Sequence, residues 1–143
     1  MKAQDPGSMR GPAAERIAQY KKIRLMETLQ MNEDVSIRFF ARYNKHEDNI
    51  RAIGKEHNEL IDQLQNLSRS NASDADINKV IKDIRMSEEK ILEERSKFIE
   101  ELNGVLSTKQ IAEYIVFERN FNKNLRELMR DIAKERWDRH GEK

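Results

Sequence analysis

Three histidines, His46, His57 and His140, are the side chains best suited to metal binding or proton transfer in a 143-residue chain without cysteine. The lack of cysteine removes disulfides, thiol nucleophiles and thiolate metal sites. His46 and His57 stand eleven residues apart, and on one helix that is a separation of ~16 Å at 1.5 Å per residue. They are too distant to share an ion, so a metal site needs Glu, Asp or Met from another helix or subunit. No metal ligand set and no cofactor is therefore expected. Nothing supplies a nucleophile with its base and orienter, a glycine-rich phosphate loop or a carboxylate dyad in a cleft. No catalytic residue is expected, and an enzyme is the least expected class.

The elements that must carry these residues are helices. Charged residues make up 37% of the chain and apolar residues another 37%, with only five Gly and two Pro. That composition suits long amphipathic helices and suits a sheet poorly. A net charge of +1 gives neither charge-driven disorder nor a bulk case for nucleic-acid binding, and no nucleic-acid motif is present. No run approaches the ~18 apolar residues of a membrane span. A chain this charged and this short has a thin core, which favours a homodimer.

Pro6, Gly7, Gly11 and Pro12 mark residues 1–12 as a flexible N-terminal tail, ahead of a single all-α domain over 13–140. The stretch "AQDPGSMRGPAAER" reads as a polar mature N-terminus, which implies a signal peptide ahead of Ala3. A first helix carries Ile17, Tyr20, Ile23 or Arg24, and Leu29. Asn32 caps a second, with Glu33 and Asp34 at its positive end. Its seam reads Phe39, Tyr43, His46, Ile50, Ile53, His57, Leu60, Leu64 and Leu67. "SRSNASDAD" is the interior loop, with Ser73 or Asp74 as the next cap. A third helix offers Ile77, Ile81, Ile84, Glu88, Ile91, Arg95, Phe98 and Leu102, and ends at Gly104 in a left-handed conformation. Ser107 and Gln110 form a capping box for a fourth helix through Phe121, Leu125, Leu128, Met129 and Ile132. The expected fold is all-α, four helices with a long antiparallel hairpin. Folding it about residues 71–72 sets His57 against Glu88 and Ile50 against Arg95. Such polar layers ordinarily fix register; the sharper reading makes His57–Glu88 a pH-responsive pair.

"LSTKQ", Leu106 to Gln110, resembles the LTxxQ signature of the Spy/CpxP superfamily of periplasmic stress proteins, and "IAEYIVFERNFNKNLRELMRD" is similar to the segment that follows it there. A first copy of the signature is expected before the long helix, where Leu29-Gln30-Met31-Asn32-Glu33-Asp34-Val35 keeps the hydrophobic residue, cap and acid but not the glutamine. The layout of residues 15–135 resembles the family's. In physical terms Leu106, Ser107, Thr108 and Gln110 are a helix-turn lock: the leucine packs, Ser107 caps, and Gln110 satisfies an exposed amide. On that view Ile111, Tyr114, Ile115 and Phe121 are core, while Phe117 is surplus to it.

The resemblance implies a curved cradle formed by an antiparallel dimer, located in the periplasm, that holds unfolded or regulatory polypeptides without ATP. A basic strip with interleaved aromatics is the expected partner surface: Arg16, Lys21, Lys22 and Arg24 on the first helix, Arg38, Phe39, Phe40 and Arg42 on the second. The segment 74–104 is acidic instead, with nine Asp/Glu against six Lys/Arg. Long-range attraction and weak apolar contact are what such a strip provides. Two rivals stand beside this reading. One is a periplasmic heavy-metal or sigma-factor-linked sensor of the same fold. The other is a cytoplasmic coiled-coil adaptor with the same seams and no client activity.

Overall fold

The computed structural model describes residues 11–141, so the expected N-terminal tail lies outside them except for Gly11 and Pro12. Four helices account for nearly all of the described chain: α1 (Pro12–Leu29), α2 (Glu33–Ser68), α3 (Asp74–Leu102) and α4 (Thr108–Gly141). No strand occurs among the described residues, and the protein is all-α. No helix among them is long and apolar enough to cross a membrane.

Local sequence explains where each helix starts and stops. Pro12 opens α1, where its missing N–H costs nothing. The helix closes at Leu29 with Gln30 left-handed at φ 47°. Ser73 caps α3, its side chain accepting from the Asp76 N–H at 3.2 Å. Asp74 and Asp76 place negative charge at the positive end of the same helix. In the connection before it, Ser68 Oγ donates to the Gln65 carbonyl at 2.7 Å and Ser70 Oγ to the Leu67 carbonyl at 3.1 Å. Those serines satisfy carbonyls that the end of α2 leaves without helical partners.

The end of α3 departs from expectation. Gly104 is not left-handed; the positive-φ positions among the described residues are Gly11 and Gln30. Asn103 stays in the right-handed region, and the turn closes through Val105 N–H to the Leu102 carbonyl (2.9 Å) and Leu106 N–H to the same carbonyl (2.8 Å). A right-handed turn of this kind needs no glycine.

Two compact units divide the chain. One comprises residues up to Asn32 together with those from Ser107 onward, and so contains α1 and α4; the other is Glu33–Leu106, with α2 and α3. Within the second, rising numbers along α2 meet falling numbers along α3: His46 and Asn49 reach Glu94, Glu56 reaches Lys90, and His57 reaches Glu88. Every position of the expected α2 seam is buried or half-buried, from Phe39 to Leu67.

The α3 seam is a correction. Its inward positions are Ile77, Val80, Ile84, Ser87, Ile91, Glu94, Phe98 and Leu102, whereas Ile81, Glu88 and Arg95 are exposed. Steps of three then four replace the expected four then three. The aromatic centre of this unit is Phe39, Tyr43 and Phe98, all nearly inaccessible, with ring centroids 5.5 Å (Phe39–Tyr43) and 6.3 Å (each to Phe98) apart.

Candidate functional site

In the α1–α4 unit, the turn signature becomes a hydrogen-bonded hub. Ser107 N–H donates to Gln110 Oε1 at 3.0 Å while Gln110 N–H donates to Ser107 Oγ at 3.2 Å, a reciprocal capping box. The other end of the glutamine amide, Nε2, donates to the Leu29 carbonyl at 2.9 Å. That carbonyl is among the last four of α1 and has no helical partner. Gln110 therefore ties the last turn of α1 to the first turn of α4. Leu106 is buried, Gln110 half-buried, and Ser107 and Thr108 are exposed.

Farther along, Lys21 Nζ sits 2.9 Å from Glu118 Oε2, with both side chains largely covered. The same ammonium lies 5.5 Å from the Phe121 ring centre, a cation–π geometry. Tyr20 meets Phe121 at 6.3 Å and Phe121 stacks on Phe117 at 5.6 Å. Numbers rise along α1 as they fall along α4, so the two helices share a long flank.

That flank forms an open groove of about 570 Å³. Its apolar lining comes from Ile17 and Tyr20 on α1 and from Val116, Phe117, Phe121, Leu125 and Leu128 on α4. Thr28, Asn120 and Asn124 add neutral hydrogen-bonding groups, and Arg24 and Glu113 add one charge of each sign. Tyr20, Val116 and Leu128 are each more than half exposed (57%, 58% and 54%). Surface of this kind, apolar, concave and accessible, is how binding sites are usually built.

The expected partner residues fall in both units. Arg16 and Arg24 are exposed on α1, with Arg24 3.6 Å from Glu27. Lys22 is half-buried. Lys21 is held by Glu118 and Phe121, so its charge is neutralised locally. Arg38 and Arg42 are exposed on α2, in the other unit, where Arg38 lies 3.7 Å from Asp34 and Arg42 donates to the Arg38 carbonyl. Phe39 leaves the expected surface altogether. It is fully buried in the aromatic centre of the α2–α3 unit, because it occupies an inward position of the α2 seam. Phe40, one residue on, is half-buried against Phe39 and Tyr43.

Sequence reasoning placed Phe121 in the core, set Phe117 apart as surplus to it and marked Arg24 for partner binding, without joining them into a groove. Their signal is a pair of facing helical stripes, Ile17-Tyr20-Arg24-Thr28 and Phe117-Phe121-Leu125-Leu128, with a shorter helix opposite a longer one. Ile115, expected inside, is half exposed, while Tyr114 is buried. No group of three or more His, Asp or Glu that could hold a metal ion occurs among the described residues. No family model matches the chain, and no curated protein or solved structure matches it either.

Proposed function

We propose that this chain is a Spy/CpxP-like periplasmic protein that binds unfolded or regulatory polypeptides without ATP, as a dimer in which α2 and α3 form a long antiparallel hairpin. The observation that carries the binding reading is the open apolar groove between α1 and α4. The family reading is supported by "LSTKQ", whose serine and glutamine cap α4 and whose glutamine also reaches α1. The hairpin reading is supported by the run of α2–α3 pairs from His46–Glu94 to His57–Glu88.

The groove also narrows the kind of segment it takes. Arg24 and Glu113 balance each other, and the remaining lining is apolar or neutral. Uncharged apolar stretches of a polypeptide fit such a surface better than acidic ones, which a basic strip would have favoured. Weak, adaptable apolar contact lets one groove accept many sequences. The test is suppression of aggregation of an unfolded model protein at near-stoichiometric ratio with no nucleotide added. Suppression that is lost in a Val116→Asp, Leu128→Asp variant supports the groove. Absence of suppression in the unmodified protein removes the chaperone reading and leaves the sensor reading.

A further inference from the structure

The α2–α3 unit holds a buried polar cluster for which polypeptide binding has no use. His46 is only 6% exposed. Its imidazole stacks face to face on Phe98, with centroids 4.2 Å apart and planes 6° from parallel. Its Nδ1 lies 3.1 Å from Glu94 Oε1, and Asn49 Nδ2 donates to the same oxygen at 3.2 Å. An ionised carboxylate only accepts hydrogen bonds, so His46 Nδ1 carries the proton in this contact. Phe98 in turn packs against Phe39 and Tyr43. One carboxylate oxygen thus fixes a ring that is part of the aromatic centre.

We propose that the His46–Glu94 pair is a proton-operated latch on the packing of α2 against α3: the carboxylate holds His46 on Phe98, and proton uptake by Glu94 releases the ring and opens the aromatic centre to water. A protonated Glu94 is no longer an anionic acceptor, so the His46 Nδ1–H and the Asn49 amide lose the charged partner that offsets their burial against apolar surface. The contacts that lock the ring in place then favour its leaving.

From α3, Glu94 and Lys97 act on the cluster; from α2, His46 acts beside the neutral Asn49. Glu56–Lys90 and His57–Glu88 form the next ionisable layer, each at 3.6 Å and more exposed to solvent. Burial pushes the Glu94 carboxyl up, but hydrogen bonds from Asn49 and His46, with the charges of His46 and Lys97, outweigh it and hold it below its ordinary 4.5. A carboxyl depressed in the folded state stabilises the fold above its unfolded value, and that contribution is lost as pH falls through the lower folded value. The latch therefore opens below pH 4.5.

This inference is independent of the polypeptide-binding reading. Its test is dye binding to exposed apolar surface, followed with helical circular dichroism from pH 7 to 3 at fixed ionic strength on the full chain. The unmodified protein is expected to gain at least threefold in dye fluorescence below pH 4.5, before helix content falls. Glu94→Gln is expected to lose that step, and His46→Gln to move it to higher pH, because the charge that helps hold the carboxyl low is gone. Asn49→Ala, which removes one bond to the carboxylate and keeps its charge, is expected to move the step to higher pH. The Asn49 variant tests the latch even if Glu94→Gln does not fold. A step at unchanged pH in all three variants, or no step in the unmodified protein, overturns the proposal.

Discussion

Replacing Gln110 by Ala removes two hydrogen bonds and leaves the fold's helices otherwise untouched. Lost are the Oε1 acceptor for the Ser107 N–H (3.0 Å) and the Nε2 donor to the Leu29 carbonyl (2.9 Å). The third bond, Gln110 N–H to Ser107 Oγ, survives because it uses the backbone. Each ordinary hydrogen bond contributes about 1 kcal/mol net, and a buried carbonyl left without a partner costs ~1–3 kcal/mol. The total for Gln110→Ala is therefore roughly 2–3 kcal/mol, or a drop in melting temperature of roughly 4–12 °C for a chain of this size. Gln110→Glu separates the two bonds: a carboxylate still accepts from Ser107 and suits the helix N-terminus, but it cannot donate to Leu29. Urea unfolding by circular dichroism measures the first quantity, and amide exchange near the end of α1 the second. Gln110→Glu should keep α4 capped while exchange after Leu29 accelerates. A loss under about 0.5 kcal/mol in Gln110→Ala, typical of an inert surface site, would refute the role given to this glutamine.

Further substitutions bear on the expected partner residues. Lys21→Ala should destabilise by about 2 kcal/mol in urea melts, because it strands the mostly covered Glu118 carboxylate, whose Oε1 already lacks a hydrogen-bond partner. Lys21→Met with Glu118→Leu should recover most of that loss. Phe39→Ala should cost ~3–5 kcal/mol in the same assay, as for a fully buried aromatic, whereas Phe40→Ala should cost clearly less.

Residues whose chemistry admits only one structural use were legible in advance. Ser73, Ser107 and Gln110 announced their caps because a short polar side chain before an apolar run has few other roles. The α2 seam was legible because its aromatics and leucines fall on one stripe with charges elsewhere. The α3 seam was not, since the two registers there differ by single residues of matching kind: Val80 or Ile81, Ser87 or Glu88, Glu94 or Arg95. A 3.6-residue period tolerates both; packing against α2 chose Val80, Ser87 and Glu94. That choice moved the buried polar contact from His57, whose Glu88 partner is solvated, to His46 and Glu94. The groove was hidden for a related reason. A stripe of Phe121, Leu125 and Leu128 predicts burial, with Phe117 surplus to it, but does not say whether the facing helix is long enough to cover it. Lys21 looked available for a partner because no periodicity reveals an ion pair with a residue 97 positions away.

Polypeptide binding through the α1–α4 groove is tested most directly by a single comparison. Aggregation of an unfolded model protein is followed by light scattering, without nucleotide, with the unmodified chain and with Val116→Asp, Leu128→Asp. Both residues are more than half exposed, so the double change alters the groove without emptying a core. A parallel variant, Arg16→Glu with Lys22→Glu, reverses charge on α1 away from the groove lining. The account predicts near-stoichiometric suppression by the unmodified protein, lost in the groove variant and retained in the charge variant. Equal suppression by the unmodified protein and the groove variant, or suppression by none of the three, contradicts it.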